Sequence, residues 1–325
     1  MKEVTLGIDI GGTNTKLGLV DREGNCLVSS SIETYADKPV EVFMTLLFKA
    51  IDQLKAQVKE PFEIKAVGIG APNGNYYTGT IENAANLHGW GDYVPLAELV
   101  KDKLNLPVAV TNDANAAALG EMKFGVAKGM KNFMVITLGT GLGSGIIVNG
   151  DLLYGHDGFA GEFGHINVVH NGRKCGCGSK GCLETYVSAT GLKRNMLEMI
   201  AEYNGGSQLD QTPFEHITSK MIFDAAESGD EIAQKAFQMT GEYLGKSLAD
   251  AVAIFSPEAI VLFGGMAAAG DWILKPTQEA MDANTIRMFK GKTKLLFSNL
   301  KGDNTAILGS SALAWQELDK MVSAS

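Results

Sequence analysis

The chain opens on short apolar runs separated by turn residues. VTLGIDI (4–10), TKLGLVD (15–21) and CLVSSSIE (26–33) predict three strands, joined by GGTN and REGN. Beyond Pro39 the rhythm changes. Val42, Phe43, Leu46, Leu47, Ala50, Ile51, Leu54 and Val58 recur with the 3.6-residue period of an amphipathic helix. A strand KAVGIGAP (65–72), a helix from about Pro95 to Leu104, a strand PVAVTN (107–112) and an Ala-rich helix from Ala114 to about Phe124 follow. The first half therefore reads βββαβαβα.

The same order begins again 128 residues later. FMVITL, the turn GTGLGSG, GIIV, the hairpin turn NG and DLLYG match the opening meander, aligning Gly11 with Gly139 and Val20 with Val148. Helices are predicted at about 186–204, 218–228 and 230–255. A strand at 259–265, a helix at 271–283, a strand at 294–300 and a last helix at about 305–321 complete the series. Two related α/β halves predict a cleft between them, the usual place for a ligand in such folds.

Length and charge narrow the function. A chain of 325 residues suits two domains of ordinary size. Its formal charge of −9 repels polyanions, which argues against nucleic acid as a partner. The start MKEVTLGIDIGG carries no secretory signal pattern, and no run approaches the roughly 18 apolar residues of a membrane span, so a cytoplasmic location without membrane contact is expected.

Among the 39 glycines, two loops stand out, Asp9-Ile10-Gly11-Gly12-Thr13-Asn14 and Leu138-Gly139-Thr140-Gly141-Leu142-Gly143-Ser144-Gly145. A dinucleotide fingerprint would open a helix, yet GIIVNG after the second loop is a strand entering a hairpin. Neither loop ends in the Gly-Lys-Ser/Thr of a P-loop. What remains is a pair of hairpin turns whose backbone N–H groups and Thr hydroxyls can face phosphate oxygens.

NDANAAALGE (112–121) places Asn112 and Asp113 where a strand ends and a helix begins. Both are good helix caps. A carboxylate at such a position can also act as a general base, and the helix N-terminus is expected to lower the pKa of Asp113.

Three of the four cysteines fall within GHINVVHNGRKCGCGSKGCLE. Cys175-x-Cys177-x4-Cys182 with an upstream histidine fits a closed Cys₃His tetrahedron, the arrangement of structural zinc. His165 and His170 both qualify as the fourth ligand on spacing. Cys26, alone among apolar neighbours, reads as a small buried hydrophobe.

DIGGT near the start, VLFGG late in the chain and the stretch ITLGTGLGSGIIVNGDLLYGHDGFAGEFGH between them resemble the ROK family of actin-like sugar kinases, over nearly the whole length. The resemblance implies two ribonuclease-H-like lobes. Residues 1–116 with 305–325 would form the smaller one, and 117–304 the larger, with a zinc-binding insertion at 162–184. It further implies that Gly11, Gly12, Thr13, Thr137, Gly139, Thr140 and Gly141 hold the phosphates of ATP, that Gly264 and Gly265 lie beside the adenosine, and that Asp9 orients Mg²⁺ through water. Asp113 resembles the family's catalytic base. Asn86, Asn112, Asp113, Glu162, His165 and Glu184 correspond to its sugar contacts, and the pattern GH followed by CxCGxxGCLE selects His165 as the fourth zinc ligand.

The expected activity is that of an ATP-dependent hexose kinase acting on the 6-hydroxyl of glucose. Kinases for N-acetylmannosamine, N-acetylglucosamine, fructose or allose are the alternatives. Pro72-Asn73-Gly74, where Pro-Gly is more usual, and the added Tyr76 and Tyr77 put the choice of sugar in question. A sugar-sensing repressor of the same family is the competing class; its DNA-binding domain would precede DIGGT, which here begins close to residue 1. Relatives imply a homodimer.

Overall fold

The computed structural model describes residues 1–300, 302 and 304–324. The chain divides into two compact units, Met1–Met130 with Gly145–Gly161 and Asn299–Ser325, and Lys131–Ser144 with Glu162–Ser298.

The first unit is built on a sheet of order β3-β2-β1-β4-β8. β1 (Lys2–Ile10), β2 (Asn14–Val20) and β3 (Cys26–Glu33) form the antiparallel meander, while β4 (Phe62–Gly70) and β8 (Val108–Thr111) run parallel to β1. Successive side chains of a strand point to opposite faces, and β1 uses both. Leu6, Ile8 and Ile10 join the core in which α1 (Val40–Gln57) buries Phe43, Leu47, Ile51 and Leu54. Thr5, Gly7 and Asp9 share the other face. There Thr5 hydrogen-bonds Ser311 of α8 (Thr305–Ala324) at 2.7 Å, and Gly7 lies against Ile307.

Close approach of α8 to the sheet depends on missing side chains. A Cβ on Gly68 of β4 would collide with the Ser310 carbonyl oxygen, and Gly70 donates its N–H to the Ser310 hydroxyl at 3.2 Å. α3 (Asp113–Phe124) packs on α8 in the same manner: a Cβ on Gly120 would sit 3.0 Å from the Gly309 Cα. This double contact fixes the height of α3 above the sheet. α2 (Leu96–Leu104) buries Leu96 and Val100 in the core on the α1 side. A small sheet of β5 (Gly74–Asn75), β6 (Thr80–Glu82) and β7 (Tyr93–Val94) occupies a stretch to which the sequence pattern assigns no element. Its strands are too short to carry a period of two.

The second sheet has order β11-β10-β9-β12-β13, the topology of the first. Shifting β2 by 128 gives residues 142–148, the bounds of β10 (Leu142–Val148). β9 (Phe133–Leu138), β12 (Ala259–Phe263) and β13 (Lys294–Phe297) run parallel, and β11 (Asp151–Leu152) pairs antiparallel to β10. β13 stops at Phe297, short of the expected end at 300. α4 (Ala189–Glu202), α5 (Ser219–Glu227), α6 (Glu231–Phe255) and α7 (Asp271–Asn284) complete the second unit. α4 begins three residues later than periodicity suggests because Ser188 caps it, accepting the Gly191 N–H at 2.9 Å. No helix of the described residues is long and apolar enough to cross a membrane.

Overpacking a helix–sheet contact costs about 1–3 kcal/mol. Gly68→Ala is expected to lower the unfolding free energy by that amount in urea titrations, whereas Gly139→Ala, with nothing within 4 Å of its added Cβ, stays within about 0.5 kcal/mol of the parent.

Candidate active site

Asp9 is the last but one residue of β1, and Asp113 the first of α3, immediately after β8. Both strands flank β4 in parallel, so both carboxylates emerge at the same end of the sheet. They lie near enough to repel. Burial, and then the charge of Asp113, push the Asp9 carboxyl up to about 6 against the pull of Lys16. After β1 the chain turns through Gly11, whose N–H donates to the Asn14 carbonyl at 3.0 Å. Gly12 passes so close to Asn86 that a Cβ would stand 3.2 Å from the Asn86 backbone oxygen and 3.3 Å from its Cβ. Thr13 is exposed and accepts the Thr34 N–H through its carbonyl at 2.9 Å. The first unit thus brings together Asp9, Gly11, Gly12, Thr13, Asn86, Asn112 and Asp113.

Asn112 and Asp113 stand side by side at the start of α3. Asn112 is the N-cap of α3, its side-chain oxygen accepting the Ala114 N–H at 2.7 Å. Asp113 accepts the same N–H at 2.8 Å but stands inside the helix, within reach of solvent. The expected fall in its pKa does not occur. Loss of hydration in its dense surroundings raises the carboxyl, outweighing the backbone N–H groups of Ala114 and Asp113 that pull it down.

In the second unit, Gly139, Thr140 and Gly141 form the tip of the β9–β10 turn, closed by the Gly139 N–H donating to the Gly141 carbonyl at 3.0 Å. Thr137 turns inward, accepting the Gly143 N–H on its hydroxyl at 3.1 Å. Gly264 follows β12 at φ 100°, a conformation that glycine tolerates, with the Leu138 peptide close beside its Cα. Gly265 opens the next 3₁₀ turn. These glycines therefore gather at the ends of adjacent strands β9 and β12.

Glu162, His165 and Glu184 also come together in this unit. His165 closes a 3₁₀ turn begun by Glu162, and its Nε2 lies 3.9 Å from the Glu162 carboxylate. Gly164 between them is pressed against the Leu142 carbonyl. Glu184 accepts the Leu142 N–H at 3.1 Å on one oxygen and the Cys175 thiol at 3.5 Å on the other. The link from Glu184 to the glycine loop has no signature in the sequence, since 42 residues separate the partners. The same holds for Thr190, whose hydroxyl donates to the Thr140 carbonyl at 3.2 Å, and for buried Asn75, which donates to the Asp157 carbonyl at 2.9 Å.

His165, Cys175, Cys177 and Cys182 have their ligand atoms within 4.8 Å of one another. His170 is exposed and lies outside the group. Zn–S bonds of about 2.3 Å in a tetrahedron place sulfurs about 3.8 Å apart; Cys177 and Cys182 are 3.7 Å apart, and Cys175 Sγ is 3.7 Å from His165 Nδ1. Burial pushes the Cys175 thiol up to about 12, so a thiolate here needs a cation beside it. Cys26 stands apart from this group and is half-buried, short of the full burial expected of it; its thiol, raised by burial, donates to the Val28 carbonyl at 3.4 Å.

This chain is 36% identical over 320 residues to a glucokinase of Halalkalibacterium halodurans, covering 97% of this chain and 96% of that protein. It is 39% identical over 283 residues to a glucokinase of Streptomyces coelicolor, covering 85% and 86%. The crystal structure of a ROK family glucokinase from Streptomyces griseus in complex with glucose and AMPPNP superimposes with a TM-score of 0.80 at 34% identity, covering 96% of this chain and 99% of that one. Residues 5–317 match the family model described as ROK family, and with that span of likeness the chain belongs to the ROK family.

Proposed function

We propose that the protein is an ATP-dependent glucokinase, transferring the γ-phosphate to the 6-hydroxyl of glucose in the cytoplasm. The observation that carries this reading is Asp113: Asn112 takes over the helix cap, and a carboxylate of raised pKa is left at the end of β8, beside Asp9. A general base works best when its pKa lies nearer the working pH than that of a free carboxylate. Asp113 accepts the proton of the 6-hydroxyl as the oxygen attacks phosphorus. Asn86, Asn112, Glu162, His165 and Glu184 hold the remaining hydroxyls, which a wrong stereoisomer would leave unpaired. The two glycine loops with Thr13, Thr137 and Thr140 receive the phosphates, and Gly264 and Gly265 leave room for the adenosine.

Two ions fit this arrangement. Asp9 and Asp113 repel each other, and a hydrated Mg²⁺ held by Asp9 would relieve that repulsion and neutralise charge on the phosphates. A Zn²⁺ in the Cys₃His cluster would fix the turns that carry Glu162, His165 and Glu184. His165 would bind through Nδ1, leaving Nε2 for a sugar hydroxyl. All four positions would be taken by protein ligands, so the metal would be structural. A homodimer, implied by the family resemblance alone, belongs to the same proposal.

Assayed with ATP against glucose, mannose, fructose, N-acetylglucosamine and N-acetylmannosamine, the protein is expected to phosphorylate glucose best. Asp113→Asn should lower kcat by about 10²–10⁴ while calorimetry still detects glucose binding. Sugar binding without turnover of any sugar would favour a sensor instead.

Asp9→Asn should stabilise the fold. A carboxyl raised to about 6 in the folded protein, against an ordinary value near 4, favours folding when protonated. That advantage is full below about pH 4 and is lost as pH rises through about 6. The variant should therefore exceed the parent by about 1–3 kcal/mol at pH 8 and match it at pH 4, as denaturant titrations at both pH values would record.

Cys177→Ser is expected to bind less than one zinc per chain by atomic absorption, to melt earlier and to lose glucose affinity. A metal-free variant with full glucose affinity and unchanged melting would overturn the structural role.

A further inference from the structure

The second glycine loop does not hang free above the sheet. Residues 184–190 meet it at three points. The Gly139 carbonyl accepts the Ala189 N–H at 2.9 Å, the Thr140 carbonyl accepts the Thr190 hydroxyl at 3.2 Å, and the Leu142 N–H donates to Glu184 at 3.1 Å. The first two contacts have a geometric consequence. In a planar trans peptide the C=O and the following N–H point in opposite directions, and no peptide among the described residues is cis. Drawing the carbonyls of Gly139 and Thr140 towards residues 189–190 aims the next N–H groups, those of Thr140 and Gly141, the other way. Among the described residues neither of these N–H groups has an acceptor. Two consecutive donors aimed alike make an anion cradle.

We infer that Thr190 and Glu184 are positioning residues for the phosphate donor: they anchor the loop from behind so that the Thr140 and Gly141 N–H groups face the phosphates. This rests on the kinase reading above. Ala189 is the first residue of α4, and its N–H, normally left over at a helix N-terminus, is spent on the loop and not on a ligand. Glu184 adds a second connection. It lies two residues after Cys182, in a turn held by the Leu183 N–H on the Ile166 carbonyl at 3.0 Å, and its other oxygen meets the Cys175 thiol. Order in the cysteine cluster therefore passes through Glu184 to the donor loop as well as to the sugar-reading residues. Glycine at 141 leaves the Glu184 carboxylate room to accept the Leu142 N–H, since a Cβ there would meet its Oε2.

The test is titration calorimetry with Mg·AMPPNP and, separately, with glucose on the full chain, for the parent, Thr190→Val and Thr190→Ser, with melting temperatures alongside. Loss of one hydrogen bond corresponds to about fivefold in affinity. Thr190→Val should bind AMPPNP about fivefold more weakly and glucose as before, and Thr190→Ser, which keeps the hydroxyl, should restore the parent value. Unchanged AMPPNP affinity in Thr190→Val, or equal losses for both ligands, would overturn the inference while leaving the kinase reading intact. A parent protein that fails to bind AMPPNP at all would overturn both.

Discussion

Glycine lets α8 lie almost on the backbone of β1 and β4, and the placing of the Asp113 carboxylate depends on that closeness. Gly7, Gly68 and Gly70 clear the sheet face for α8, and Gly120 against Gly309 sets α3 on α8 in turn. Asp113 begins α3 and Asp9 ends β1, so their separation is a property of this stack of helix on helix on sheet. Packing interiors resist even one added methylene. The same stiffness that makes Gly68 intolerant of a methyl group keeps two like charges close.

Holding them close costs free energy, and the balance of terms at Asp113 shows which effect wins. A helix N-terminus alone lowers a carboxylate's pKa, and its effect fades beyond the first turn. Loss of hydration acts on the whole charge and raises it. At Asp113 the second term prevails, and Asp9 is raised for the same reason, with the neighbouring charge in addition. The fold tolerates two destabilised acids at one sheet end. Such a concentration of unfavourable charge is what a site for a cation and a proton acceptor requires.

Much of this was legible from the chain. The shift of 128 residues carries β2 onto the bounds of β10, because strand, glycine turn and strand are written in local chemistry. The cysteine cluster was legible for a similar reason: residues able to hold one metal must fall close in sequence or in space, and here three cysteines do both. The direction of the Asp113 shift was not, since burial is a sum over residues distant in sequence. The Thr190 and Glu184 contacts with the glycine loop span 50 and 42 residues, and no periodicity encodes such a pairing. The sheet of β5, β6 and β7 escaped because two or three residues cannot display alternation.

The two halves share sheet topology but part where the third strand should follow. In the first half β3 extends the meander by eight residues, Cys26–Glu33; in the second, β11 is two residues long. From there to α4 the chain forms turns, two of them 3₁₀, among many glycines and exposed polar side chains. Its two ends are anchored in the core by Tyr154 and by Leu183, Tyr186 and Val187, but residues 170–181, HNGRKCGCGSKG, hold no apolar side chain besides two cysteines and cannot order themselves by burial, because the entropy of fixing each residue exceeds what its side chains recover from water. Short segments in that position are ordered by cross-links, and four ligand atoms within 4.8 Å of one another supply one when a metal joins them. The loss of a strand thus leaves the second half free to present Glu162, His165 and Glu184 on turns, which a regular strand, pointing alternate side chains to opposite faces, could not bring together.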